Sequence, residues 1–239
     1  MLRSSVLPKE EIYLKKKIWH ILENTELEGL EEAIEPYPLT KIISHFISAF
    51  LHLDERVRWK AIYAFGITSA KIAKEEIEKA RILMRRLMWM LNEESGGMAW
   101  GVGEAFGETL YHSEQLRREY LQIYVSYIWP EGNYLDFPPA QRGIIWGVGR
   151  LAQRYTEELV SVRAQEYLIF HLNSQDDGVL LLTLWSLRPF QRCLDMRQHR
   201  PIIEKAFEIL MEKRTSLIIF DGIKIRPWDF QEAKKFYQS

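Results

Sequence analysis

The chain has 239 residues, 47% of them apolar and 27% charged, with a formal net charge of −1. That length can bury a sizeable core, and so even a charge balance supplies no pull towards nucleic acid or an anionic membrane. The single cysteine, Cys193, excludes an intrachain disulfide and a cysteine-cluster metal site, and reads as a small apolar side chain near a helix end.

In chain order, the opening stretch MLRSSVLPKEEIYLKKKIW is interrupted by Pro8 and many charges, so it does not read as a signal peptide. No window approaches the roughly 18 apolar residues of a membrane span, and a cytoplasmic protein is expected. Residues 9–24 and 37–52 read as amphipathic helices, broken by EPYP at 35–38. A further helix is expected over DERVRWKAIYAFG, 54–66. In 74–91, Ile77, Ala80, Leu83, Met84, Leu87 and Met90 recur at helical spacing, with Arg81, Arg85 and Arg86 on the outer face.

That helix leads into NEESGGMAWGVGEAFGE, 92–108, where Gly101, Gly103 and Gly107 have a spacing seen in dinucleotide loops. Such a loop requires a strand immediately before it; a helix precedes this one, and the dinucleotide reading falls. Ser95 is a natural N-cap, and the amides of Gly96 and Gly97 form a possible anion site at a helix amino end. Glu93 and Glu94 oppose a phosphate there, and a structural turn is the plainer role. The loop WPEGNYLDFPP, 129–139, precedes another helix. In SLIIFDGIKIRPW, 216–228, Asp221-Gly222 between apolar flanks signals a hairpin, expected to cover the end of the last repeat.

Self-comparison explains the glycines. SGGMAWGVGEAFG (95–107), PPAQRGIIWGVG (138–149) and DDGVLLLTLWSLR (176–188) align with 54–66, placing Gly66, Gly107, Gly149 and Arg188 in one column. A period of roughly 40 residues with a helix before each copy marks a two-helix solenoid. Small residues four apart, Gly101 with Ala105 and Gly143 with Gly147, would let neighbouring helices approach closely.

The opening copy resembles the HEAT-like repeat, whose second helix reads D-x-x-V-R-x-x-A-x-x-A-L-G; Asp54, Val57, Arg58, Ala61, Ala64 and Gly66 match it. The chain is also similar to HEAT-like proteins of the bilin-lyase type, and the NEESGG…WG…EA element to bacterial and archaeal HEAT-like proteins, a likeness that carries no activity. The resemblance implies an all-α fold: an α-α superhelix, a HEAT-like solenoid of antiparallel helix pairs, with a small C-terminal β-hairpin. It is read as one domain, with an N-terminal helical cap at 1–36, about four helix-pair repeats at 37–213, and a hairpin cap and tail at 214–239.

The alignment separates buried from outward columns. Val57, Ala61, Ala64 and Phe65 follow the core rule, as do Met98, Val102, Ala105 and Phe106, then Ile144, Gly147 and Val148, then Val179, Thr183, Ser186 and Leu187. The outward columns run Trp59, Trp100, Arg142, Leu181 and Tyr63, Glu104, Trp146, Trp185, with Arg188 ending the glycine column. The repeat class implies that second helices line the concave surface. Its groove would then present Trp59, Tyr63, Trp100, Glu104, Arg142, Trp146, Trp185 and Arg188 to a partner, aromatics and arginine being the usual anchors of recognition. The competing reading has these tryptophans fill the interhelix core, with Glu104 and Arg142 a plain surface ion pair.

The expected function is a non-enzymatic scaffold recognising a protein or peptide partner through an aromatic groove. A resemblance to DNA glycosylases built from HEAT-like repeats, acting on alkylated bases, implies an alternative using Trp100, Glu104, Arg142 and Trp185. The carboxylate there is Glu rather than Asp, and a cationic excess is missing. The bilin-lyase likeness implies a third reading, a helper that handles a tetrapyrrole. Six scattered histidines show no metal-ligand spacing; neither metal nor cofactor is expected, and nucleic acid and membrane are not expected partners.

Overall fold

In the computed structural model, residues 9–92, 100–195 and 197–238 are described. Helix α1 (Lys9–Asn24) and the short α2 (Leu30–Ile34) lead into four helix pairs: α3 (Leu39–Ala49) with α4 (Glu55–Glu75), α5 (Ile77–Leu91) with α6 (Val102–His112), α7 (Glu114–Ser126) with α8 (Pro138–Ser161), and α9 (Ala164–His171) with α10 (Asp177–Leu187). Then come α11 (Arg200–Lys213), the strands β1 (Ser216–Phe220) and β2 (Ile225–Asp229), and α12 (Phe230–Gln238). The fold is an all-α solenoid with a small antiparallel hairpin at its carboxyl end.

The repeats begin where the sequence supplies caps. The Asp54 carboxylate accepts from the Arg56 amide at 2.8 Å, starting α4, and Asp176 accepts from Val179 at 2.8 Å, starting α10. Second helices pack in series, α4 on α6, α6 on α8 and α8 on α10. Each turns its small and apolar column inward, from Val57, Ala61, Ala64 and Phe65 to Val179, Thr183, Ser186 and Leu187, all buried. Met98, from the same column, lies outside the described residues.

Two glycine expectations part company. A Cβ on Gly107 would stand 2.7 Å from the Gly147 Cα, so α6 and α8 meet backbone to backbone there. Gly101 does something else: α6 starts at Val102 rather than near Gly97, and Gly101 is its N-cap at φ 89°, a left-handed conformation that suits glycine. It is not a mid-helix packing residue.

The hairpin is present where Asp221-Gly222 placed it, and it reaches beyond the last repeat. Gly222 takes φ 102° in the turn, and the Asp221 carboxylate accepts from the Ile223 and Lys224 amides at 2.9 Å each. β1 packs on α10 in the last repeat and also reaches α4 in the first, across the second helices. α11 and α12 also pack on α10. No helix among the described residues is long and apolar enough to cross a membrane.

Candidate functional site: a tryptophan ladder holding a strand

Strand pairing decides which groups of β1 are free to meet the helices. The Asp221 amide bonds the Lys224 carbonyl at 3.1 Å and closes the turn, which makes Ile219–Arg226 and Leu217–Trp228 the hydrogen-bonded pairs. Ile218 and Phe220 therefore aim their carbonyls away from β2. Two tryptophans meet them: Trp59 Nε1 donates to the Ile218 carbonyl at 2.7 Å, and Trp146 Nε1 to that of Phe220 at 2.8 Å. Pro227 faces Ile218 in the pairing, so its missing amide falls on the outer edge of β2, where proline is tolerated and blunts further pairing.

The indoles form a ladder. Trp59 and Trp146 have ring centroids 4.6 Å apart at 53°, and Trp185 lies parallel to Trp146 at 6.2 Å and 5°. Tyr63 meets Phe220 edge-on at 5.7 Å. Three tryptophans of the expected columns come together, and they are not open to solvent: Trp59, Trp146 and Trp185 are 8%, 0% and 3% exposed. The chain's own hairpin covers them, which corrects the expectation of an open groove. Buried indole N–H groups need acceptors, and strand carbonyls supply them.

The polar members of the expected set scatter. Arg142 does not meet Glu104; it forms a bidentate pair with Asp176, at 2.8 and 2.7 Å, across to the start of α10. Arg188 is half-buried, its guanidinium 4.9 Å from the Trp228 ring and 4.3 Å from that of Phe236; burial depresses its pKa. Trp100 is 52% exposed on the rim at the start of α6, apart from the ladder. Glu104 lies one turn on, lining a cleft with Trp100 and Phe137, and burial pushes its carboxyl up to about 7. Its own amide and the charge of Arg58 pull the other way without prevailing. Ser95, Gly96 and Gly97, the anion-site candidates, lie outside the described residues.

Sequence reasoning missed the group that anchors the hairpin tip. Glu108, fully buried, accepts from Arg150 Nε at 2.9 Å and Nη2 at 3.2 Å, and lies 2.9 Å from His112 Nε2. Burial alone would raise its carboxyl; the His112 bond and the Arg150 charge and bonds together hold it below the ordinary range. Arg150 also stacks on Tyr111 at 3.5 Å and bonds Gln153, which donates to the Asp221 carbonyl at 2.8 Å. A signal existed: in the repeat alignment Glu108 and Arg150 share a column one repeat apart, opposite charges where Ile67 is apolar.

No family model matches the chain, and no curated protein matches it. Among solved structures, a crystal structure of an engineered protein is 15% identical, covering 95% of this chain and 94% of that one, with a TM-score of 0.44. A designed armadillo repeat protein in complex with the peptide (KR)4 is 16% identical over 94% and 99%, at 0.43, and a second designed armadillo repeat protein 14% identical over 98% and 95%, at 0.45.

Proposed function

We propose that this chain is a non-enzymatic scaffold whose concave face binds an extended polypeptide segment of a partner, with the C-terminal hairpin as the resident occupant of that site. The reading is carried by the two indole N–H groups that hold carbonyls two residues apart on one strand. Donors aimed at main-chain carbonyls recognise an extended backbone whatever its sequence, while flanking aromatic surface rewards apolar side chains. A partner strand would replace β1 and receive the same bonds.

The glycosylase-like alternative needs Trp100, Glu104, Arg142 and Trp185 around one pocket. Arg142 is instead engaged by Asp176, and Trp185 is stacked on Trp146 beneath the hairpin. The tetrapyrrole alternative has no observation of its own to favour it.

The test uses a fluorescein-labelled peptide of sequence 214–230 and full-length protein. Gly222→Val strains the turn and drives a side chain into Gln153 and Arg150, loosening the resident hairpin. Fluorescence anisotropy is expected to show the variant binding the peptide at least tenfold tighter than wild type, and Trp146→Phe added to it weakening binding again. A folded Gly222→Val protein that ignores the peptide would contradict the proposal.

A further inference from the structure

We infer that the cleft between Trp100, Glu104 and Phe137 is a receptor for one cationic side chain, lysine or arginine, of a polypeptide partner. It lies on the rim, outside the tryptophan ladder, and the inference stands whether or not the hairpin ever leaves the concave face.

The walls are unusual for a rim. Trp100 is 52% exposed and Phe137 49%, large aromatic faces that a stable surface ordinarily covers or omits. Leu91, Pro139 and Ala140 complete an apolar lining around one carboxylate, Glu104. The enclosed part of the cleft is small, about 20 Å³, room for one compact head group beside the carboxyl, so the stem of any occupant lies across the open mouth against the aromatic faces.

The carboxylate is set in place but left without a bonded cation among the described residues. Its Oε2 would lie 2.4 Å from a Cβ on Gly143, so glycine at that point of α8 is what gives the carboxyl room. Arg58, the cation whose charge acts on Glu104, is bonded to Glu55 at 2.6 Å and to the His52 carbonyl, and Arg142 is paired with Asp176. An ionised carboxylate in such surroundings is costly unless paired. A cation with an apolar stem supplies both missing elements, the charge for Glu104 and the methylenes for the Trp100 and Phe137 faces, with cation–π attraction added. A phosphate or carboxylate ligand would be repelled, and a neutral apolar one would leave Glu104 unpaired.

Full-length protein labelled with 5-fluorotryptophan reports the site through the ¹⁹F resonance of Trp100, assigned with Trp100→Phe. The probes are N-acetyl-lysine N-methylamide, its arginine counterpart, and the neutral norleucine isostere. The expected result is a saturable shift with the lysine or arginine probe, at least tenfold weaker binding of norleucine, and at least tenfold weaker binding of the cation to Glu104→Gln. Phe137→Leu, a change at a half-exposed position, should also weaken it with its thermal melting unchanged, and Glu104→Gln is compared at a pH where both it and wild type are fully folded. The inference is overturned by the absence of a saturable shift, by equal binding of norleucine, or by undiminished binding to Glu104→Gln. Tenfold preference for the nucleobase cation 1-methyladenosine over both amino-acid probes overturns it too. None of these outcomes depends on the ladder, whose own test uses Trp146 and Gly222.

Discussion

Glu104 and Glu108 stand one turn apart on α6, and their carboxyls are driven in opposite directions. Both are taken from water, which favours the neutral acid. Glu108 has Arg150 and His112 against it and stays ionised; Glu104 has only its own amide and the charge of Arg58, and rises to about 7. The signs for stability differ accordingly. Glu104, raised above its ordinary 4.5, favours the folded state at low pH, and that contribution is lost as pH climbs from about 4.5 through about 7. Glu108, depressed, contributes above its unfolded pKa and loses that contribution as pH falls. Urea denaturation between pH 4.5 and 8 should therefore show Glu104→Gln gaining on wild type as pH rises. Glu108→Gln should cost about 3–5 kcal/mol at neutral pH, because it leaves Arg150 buried without its counter-charge. A pH-independent difference for Glu104→Gln, or a neutral Glu108→Gln, would refute this assignment.

At the scale of elements, the α6–α8 contact depends on missing side chains. Alanine at Gly147 would improve helix propensity by about 1 kcal/mol if packing did not matter. Its Cβ, however, would fall on the Tyr124 hydroxyl, which donates to the Gly103 carbonyl at 2.9 Å, and within 3.2 Å of the Gly107 Cα. Overpacking of this kind costs about 1–3 kcal/mol. Gly147→Ala is expected to be destabilising overall, measured by thermal or urea unfolding; a stabilised variant would show the helices free to part. Much of this element-level architecture was legible beforehand. Asp54, the apolar columns and the glycine column mark three of the second helices because helical period and repeat period are both local sequence properties. The role of Gly101 was not, since an N-cap and a packing glycine look alike until the helix start is known.

The whole molecule differs from a plain solenoid in one respect. Repeat proteins are held by contacts between neighbours, whereas Trp59 and Ile218 bond across a separation of 159 residues. The hairpin was readable as a hairpin from Asp221-Gly222, but its destination was not, because nothing local in 214–230 says which surface it will meet. For the same reason Trp59, Trp146 and Trp185 could be grouped by column while their burial under the hairpin could not be read. The polar anchors Glu108 and Arg150 looked like one more pair of charges until the tip of the strand was laid beside them. The central claim is that the concave indoles bind extended backbone and that the hairpin is a replaceable occupant. Hydrogen exchange of the Trp59 and Trp146 indole protons tests it most directly, in wild type and in Gly222→Val, with and without the 214–230 peptide. Slow exchange in wild type, fast exchange in the variant with helix amides still protected, and recovery on adding the peptide are the expected results. Fast exchange in wild type, or a variant whose indoles stay exposed however much peptide is supplied, would contradict the claim.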